Sequence, residues 1–126
     1  MSAKNLLLAG CIVGGAWSVA TPAPAQDAAA GQAVFKSQCS ICHSPAAGKN
    51  LTGPSLFDIV GRKAGQVPGF HYSDANRNSG LTWDTPTLDK YLTSPKDVVA
   101  HTIMAYQGVK DAQKRANLIA YLTTLH

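Results

Sequence analysis

The chain contains no glutamate, so its negative charge rests on seven aspartates. From residue 26 onward these face ten Lys and Arg, a mild balance of +3, and no basic run exceeds two residues (Arg62-Lys63, Lys114-Arg115). A nucleic-acid-binding surface needs clustered positive charge, so this class is excluded. No segment alternates apolar and polar residues as a half-buried strand does, which removes the βαβ setting of a thioredoxin-type dithiol. No second cysteine pair stands ready to complete a structural zinc site with Cys39 and Cys42. His71, His101 and His126 are scattered without ligand spacing, and such a site needs four ligands. No internal repeat is present. The longest apolar run also falls short of the ~20 residues of a transmembrane helix.

What is present begins with an export signal. Lys4 supplies a charged start, Leu6 to Ala20 is almost wholly apolar, and Ala23-Pro24-Ala25 places small residues at the −3 and −1 positions of a cleavage site. The expectation is a cleaved signal peptide over residues 1–25, a single domain over 26–126, and a periplasmic location. Leu8-Ala9-Gly10-Cys11 resembles a lipobox, but the apolar run before the cysteine is shorter than the usual h-region. Cys11 is therefore read as part of the signal, which leaves Cys39 and Cys42 in the mature chain. An uncleaved or lipidated N-terminus would instead anchor the chain to the membrane.

The mature stretch reads as helical. Asp27 caps a helix running to about Gln38, with Gly31 and Phe35 on one face. Asp111 opens a final amphipathic helix with Leu118, Leu122 and Leu125 as its buried stripe and Lys114 and Arg115 reaching water. A third helix is expected from Thr85-Pro86 to Leu92, another capped start at Ser94-Pro95, and a short helical turn over Pro54 to Val60. Between them lie long irregular stretches, one of them residues 61–83. So much irregular chain in so small a domain calls for a large apolar cofactor to organise it.

"CSICH", Cys39 to His43, is the pattern that attaches a c-type haem. Residues three apart on a helical turn project to one side, so both cysteines can bond one porphyrin and His43 is carried to the iron. Coinciding with an export signal and a helical pattern, this is read as one covalent haem c through Cys39 and Cys42. Met104 is the only methionine left after signal cleavage. It lies in a loop ahead of the last helix, closed by Gly108, from which its thioether can reach the same ring as the second axial ligand.

From about residue 28 to 125 the chain resembles class I cytochrome c, in particular the mitochondrial-type and bacterial cytochrome c2 branch. The matching stretches are "CSICH", "TGPSLFDIVGRKAGQVPGFHYSDANRNSGLTW", "LDKYLTSPK", "TIMAYQGVKD" and "LIAYL". The resemblance implies an all-α fold wrapped around one haem, with His43 and Met104 axial. It implies that Gly31 and Phe35 cross the last helix near Leu118 and Tyr121, and that the Pro54 carbonyl accepts the proton on the other nitrogen of His43. Arg62, Tyr72, Trp83 and Thr102 match positions that hold the haem propionates; Asn76 and Tyr91 match polar groups near the methionine sulfur. The implied function is one-electron transfer, not enzyme catalysis, by a monomer that cycles between Fe(II) and Fe(III) without changing ligands. The implied partners are a quinol-oxidising cytochrome complex upstream and a terminal oxidase or photosynthetic reaction centre downstream. A haem enzyme or gas sensor would instead need an exchangeable sixth ligand.

The chain departs from its family around the methionine. Where relatives read Pro-Gly-Thr-Lys-Met-x-Phe, this chain has Ala100-His101-Thr102-Ile103-Met104-Ala105-Tyr106. Gln38, Asp97 and Ile103 stand where many relatives carry lysine, though Lys96 remains. The expectation is a docking face with less charge than is typical. His101, three residues before Met104, and Lys96 are candidate substitutes for the methionine at the iron.

Overall fold

A computed structural model describes Gly15 and residues 25–126. Apart from Gly15 and Ala25, the proposed signal peptide, with Cys11, lies outside the described residues. Five helices follow in order: α1 Ala28–Gln38, α2 Asp74–Arg77, α3 Thr85–Thr93, α4 Pro95–Val98 and α5 Ala112–Thr123. Among the described residues the only β pairing is a single antiparallel bridge between Lys63 and Thr82. No helix of the described residues is long and apolar enough to cross a membrane.

The helix starts follow from their caps. The Asp27 carboxylate accepts the backbone N–H groups of Ala29 and Ala30, and Asp111 accepts that of Lys114. Each satisfies donors that a helix start leaves unpaired. Asp84 caps α3 by accepting from Thr87, which moves Pro86 one place inside the position expected for it. Ser94 precedes Pro95 of α4, but its side chain makes no capping bond.

The frame is the crossing of α1 over α5. A Cβ on Gly31 would sit 1.8 Å from the Asn117 carbonyl oxygen. Only glycine allows that approach. One turn on, the Phe35 ring lies 5.3 Å from that of Tyr121. Leu118 is fully buried, Ile119 and Leu122 nearly so, while Leu125 is half-buried at the end of the stripe. Asn117 joins this face as a polar member, its Oδ1 accepting from the Asp27 backbone N–H at 2.9 Å and from Gln113. Burying each large aliphatic side chain is worth roughly 1.5–3 kcal/mol, so this crossing concentrates much of the stabilising contact.

Three expectations need correction. Pro54 to Val60 forms turns, not helix. Asp58 adopts a left-handed conformation with φ +54°, and the carbonyls of Ser55 and Phe57 are taken by the Arg62 guanidinium. Residues 61–83 are less irregular than expected: Gly61 and Ala64 donate to Trp83 and Leu81, Trp83 donates back to Arg62, and Ser73 caps the single turn of α2. Arg115 does not point to water. Its side chain is 11% exposed, paired with Asp89 at 2.6 Å and donating to the Val109 carbonyl at 2.9 Å. Residue periodicity put it on the polar face, but a carboxylate from α3 captures it.

Candidate functional site

As α1 ends, the chain keeps turning. The N–H groups of Cys42 and His43 both donate to the Cys39 carbonyl, at 3.0 and 2.9 Å. That turn brings Cys39, Cys42 and His43 to the wall of a cavity of about 410 Å³. Both cysteines are free and partly buried. Burial, and then the charge of Cys42, pushes the Cys39 thiol up to about 11.

His43 is held from behind. Its Nδ1 lies 2.7 Å from the Pro54 carbonyl oxygen. A carbonyl only accepts, so Nδ1 carries the proton and Nε2 keeps its lone pair for a ligand bond. Burial lowers the His43 pKa; the Pro54 bond opposes that shift, and the Arg62 charge adds to it. Gly53 makes the arrangement possible, because a Cβ there would stand 2.4 Å from the imidazole Cε1.

Met104 lines the same cavity from the segment between α4 and α5. The Tyr91 hydroxyl donates to its sulfur at 3.3 Å, and the Met104 N–H donates to Thr102 Oγ1 at 3.2 Å. Burial raises the Tyr91 phenol above its ordinary value, with hydrogen bonding from Thr102 in opposition. The phenol therefore stays a donor at neutral pH.

Cys39, Cys42, His43, Met104, Pro54, Tyr91, Arg62, Tyr72, Asn76, Trp83 and Thr102 all line this cavity, whereas His101 and Lys96, the candidate substitutes for Met104, do not. Their hydrogen bonds add detail. Arg62 spends two donors on Phe57 and Ser55, at 2.8 and 3.0 Å, and makes no ion pair with a carboxylate among the described residues. A guanidinium has five donors, so others remain for an anion. Tyr72 accepts from the Val67 N–H, and Trp83 packs its ring 4.7 Å from that of Tyr91. Asn76 makes no hydrogen bond to Met104; its Oδ1 is buried without a partner. A buried, unsatisfied oxygen in a native fold points to a missing neighbour.

Sequence reasoning missed the bracket around His43. Asn50 receives the Ser55 N–H and donates to the Pro68 carbonyl, and Ser55 Oγ donates to Ala46. Asparagine and serine are so common in turns that no local signal marked them. Tyr106, whose hydroxyl donates to Gln38 Oε1 at 2.5 Å, was visible only as a departure from a family phenylalanine.

The site therefore offers apolar walls from Ile59, Leu88, Leu92, Leu118 and Leu122, two free thiols, an imidazole nitrogen, a thioether and a guanidinium without a carboxylate partner. These fit a haem: a large, flat, mostly apolar group with an iron centre and acidic edge. The family model for cytochrome c matches residues 28–126.

The chain belongs to the cytochrome c family.

It is 54% identical over 112 residues to a cytochrome c2 of Rhodomicrobium vannielii, covering 87% of each chain. To the cytochrome c2 of Blastochloris viridis it is 52% identical over 102 residues, covering 80% of each. Among solved structures, cytochrome cH from Methylobacterium extorquens superposes with a TM-score of 0.73 at 44% identity, covering 78% of this chain and 98% of that one. These relatives place this cytochrome in the c2 branch of class I, with its all-α fold. It carries one haem c, attached through Cys39 and Cys42. It is an electron carrier that works with redox complexes, and not an enzyme.

Proposed function

We propose that this cytochrome shuttles electrons in the periplasm with His43 and Met104 as its axial ligands, taking them from a quinol-oxidising cytochrome complex and delivering them to a terminal oxidase or photosynthetic reaction centre. The observation that supports this most is the 3.3 Å hydrogen bond from Tyr91 to the Met104 sulfur, matched by the 2.7 Å bond from His43 to Pro54. Each candidate ligand is oriented by a partner of its own. The bound haem supplies a one-electron Fe(II)/Fe(III) couple. His43 and Met104 keep their positions in both states, so little rearranges when charge changes. Leu88, Leu92, Leu118 and Leu122 exclude water from the walls, and burial with histidine–methionine ligation favours a raised potential. Arg62, Tyr72, Trp83 and Thr102 would hold the haem's acidic edge, and the remaining Arg62 donors would offset its negative charge. Met104, and not an exchangeable ligand, closes the site, in keeping with a carrier.

Export by residues 1–25 with cleavage after Ala25 gives the mature domain 26–126, a monomer. Mass spectrometry of the mature protein tests this: a retained or lipidated N-terminus would assign it to a membrane-anchored role. The absorption spectrum of the ferric protein tests the ligand pair. A methionine-to-iron charge-transfer band is expected, and Met104→Ala abolishes it. A low-spin, six-coordinate Met104→Ala protein would show that His101 or Lys96 reaches the iron. Oxidation and reduction kinetics with native membranes identify donor and acceptor. Failure of the quinol-oxidising complex to reduce the protein would overturn the assigned donor.

A further inference from the structure

The methionine segment is tethered thinly. Of the hydrogen bonds made by residues 103–107, those within the segment or to Thr102 are Met104 N–H to Thr102 Oγ1 and Tyr106 N–H to the Met104 carbonyl. Among the described residues only two reach the rest of the protein. One joins the Met104 sulfur to Tyr91. The other runs from the Tyr106 hydroxyl to Gln38 Oε1, at 2.5 Å, across 68 residues of sequence. Gln38 is the last residue of α1 and directly precedes Cys39. The Tyr106 ring packs against the core while its hydroxyl reaches out to Gln38.

We infer that Gln38 and Tyr106 form a clasp that holds the methionine segment against the haem-anchoring turn, positioning Met104 and limiting how often its sulfur leaves the iron. Both are positioning residues, and this rests on Met104 being the axial ligand. The clasp joins the two stretches that must move apart for another ligand to enter. A phenylalanine at residue 106 has no hydroxyl to donate, and a lysine at residue 38 has no acceptor. Either change removes the clasp without disturbing the ring packing of residue 106 or the helix α1. Gln38 is thus more than an uncharged surface position.

The test uses the mature ferric holoprotein at neutral pH with imidazole as the incoming ligand. The wild-type methionine-to-iron band is recorded first, which judges the Met104 assignment by itself. Amide hydrogen exchange at residues 104 and 106 then reports the tether whether or not sulfur binds iron. Tyr106→Phe and Gln38→Leu are each expected to raise the imidazole association rate and both amide exchange rates about fivefold, the scale of one neutral hydrogen bond. The double variant shows no further gain, because the two residues share one interaction. Gln38→Glu, which keeps an acceptor, stays within about twofold of wild type. Unchanged rates in both single variants, or effects that multiply in the double variant, would overturn the clasp.

Discussion

The α1–α5 crossing and the methionine segment are built in opposite ways. The crossing is dense: Gly31 admits the Asn117 carbonyl, Phe35 packs on Tyr121, and Leu118 is fully buried. Residues 103–107 meet the core only at its partly buried margin, through Met104 and Tyr106. They hang on a few hydrogen bonds beside a cavity of about 410 Å³, with Ile103 68% exposed. One region is held by close-packed side chains, the other by a few hydrogen bonds beside the cavity. On the proposed ligation by Met104, a carrier can use both: a frame that stays put and a segment whose hold on the iron can be tuned separately.

The largest test of this contrast is to prevent haem attachment. Without haem this apolar cavity of about 410 Å³ is open to water, and its walls lose every contact they would make with the ring. A domain's whole stability is only roughly 5–15 kcal/mol. A Cys39→Ala/Cys42→Ala chain is therefore expected to lose most of its helical circular dichroism at neutral pH. A cooperative melt above about 50 °C would show that the crossing suffices alone.

Next is the crossing itself. Gly31→Ala places a methyl group inside the Asn117 carbonyl's radius and should cost about 3 kcal/mol in urea titration, with the ferric spectrum retained. Equal loss of the methionine band at low urea would mean that the two regions are not separable.

Arg115 links them, since it leaves α5 to bond Asp89 and the Val109 carbonyl just past the methionine segment. Arg115→Leu should cost about 2 kcal/mol, the scale of bonds made by a charged donor. It should also lower the urea midpoint for loss of the methionine band before that for loss of helix. Coincident midpoints would place Arg115 in the frame alone.

The smallest effect is expected at the cavity mouth. Ile41 is 84% exposed and lines the cavity together with Ile103, so uncharged side chains stand at its mouth. Steering by charge depends on ionic strength, so the bimolecular rate with a membrane-bound oxidase should fall less than about threefold between low and physiological salt. A steep fall would place the docking charge elsewhere on the surface.

Legibility followed distance along the chain. Asp27, Asp111 and the Cys39–His43 turn were readable because caps and three-residue spacings act within one helical turn. Met104's place at the cavity was readable because the chain has no methionine besides Met1. Arg115 was misread: helical periodicity describes one helix, while the carboxylate that captures it belongs to α3. Pro54 to Val60 was misread because Arg62, beyond the segment, takes the carbonyls a helix would have used. Gln38 and Tyr106 were each seen as departures from a pattern, and nothing in either position announced that they meet.

The sequence by itself determined the family, the covalent cofactor, the caps of the first and last helices and the residues that line the cavity. These are matters of spacing and residue type, and both survive any folding of the rest. The tertiary structure alone decided which tautomer His43 takes, which carbonyls Arg62 holds, that Asn76 leaves an oxygen unpaired, and that Tyr106 closes onto Gln38. A hydrogen bond weakens steeply beyond about 3 Å and off its axis. Partners far apart in the chain can therefore be recognised only once the fold has set them within that reach.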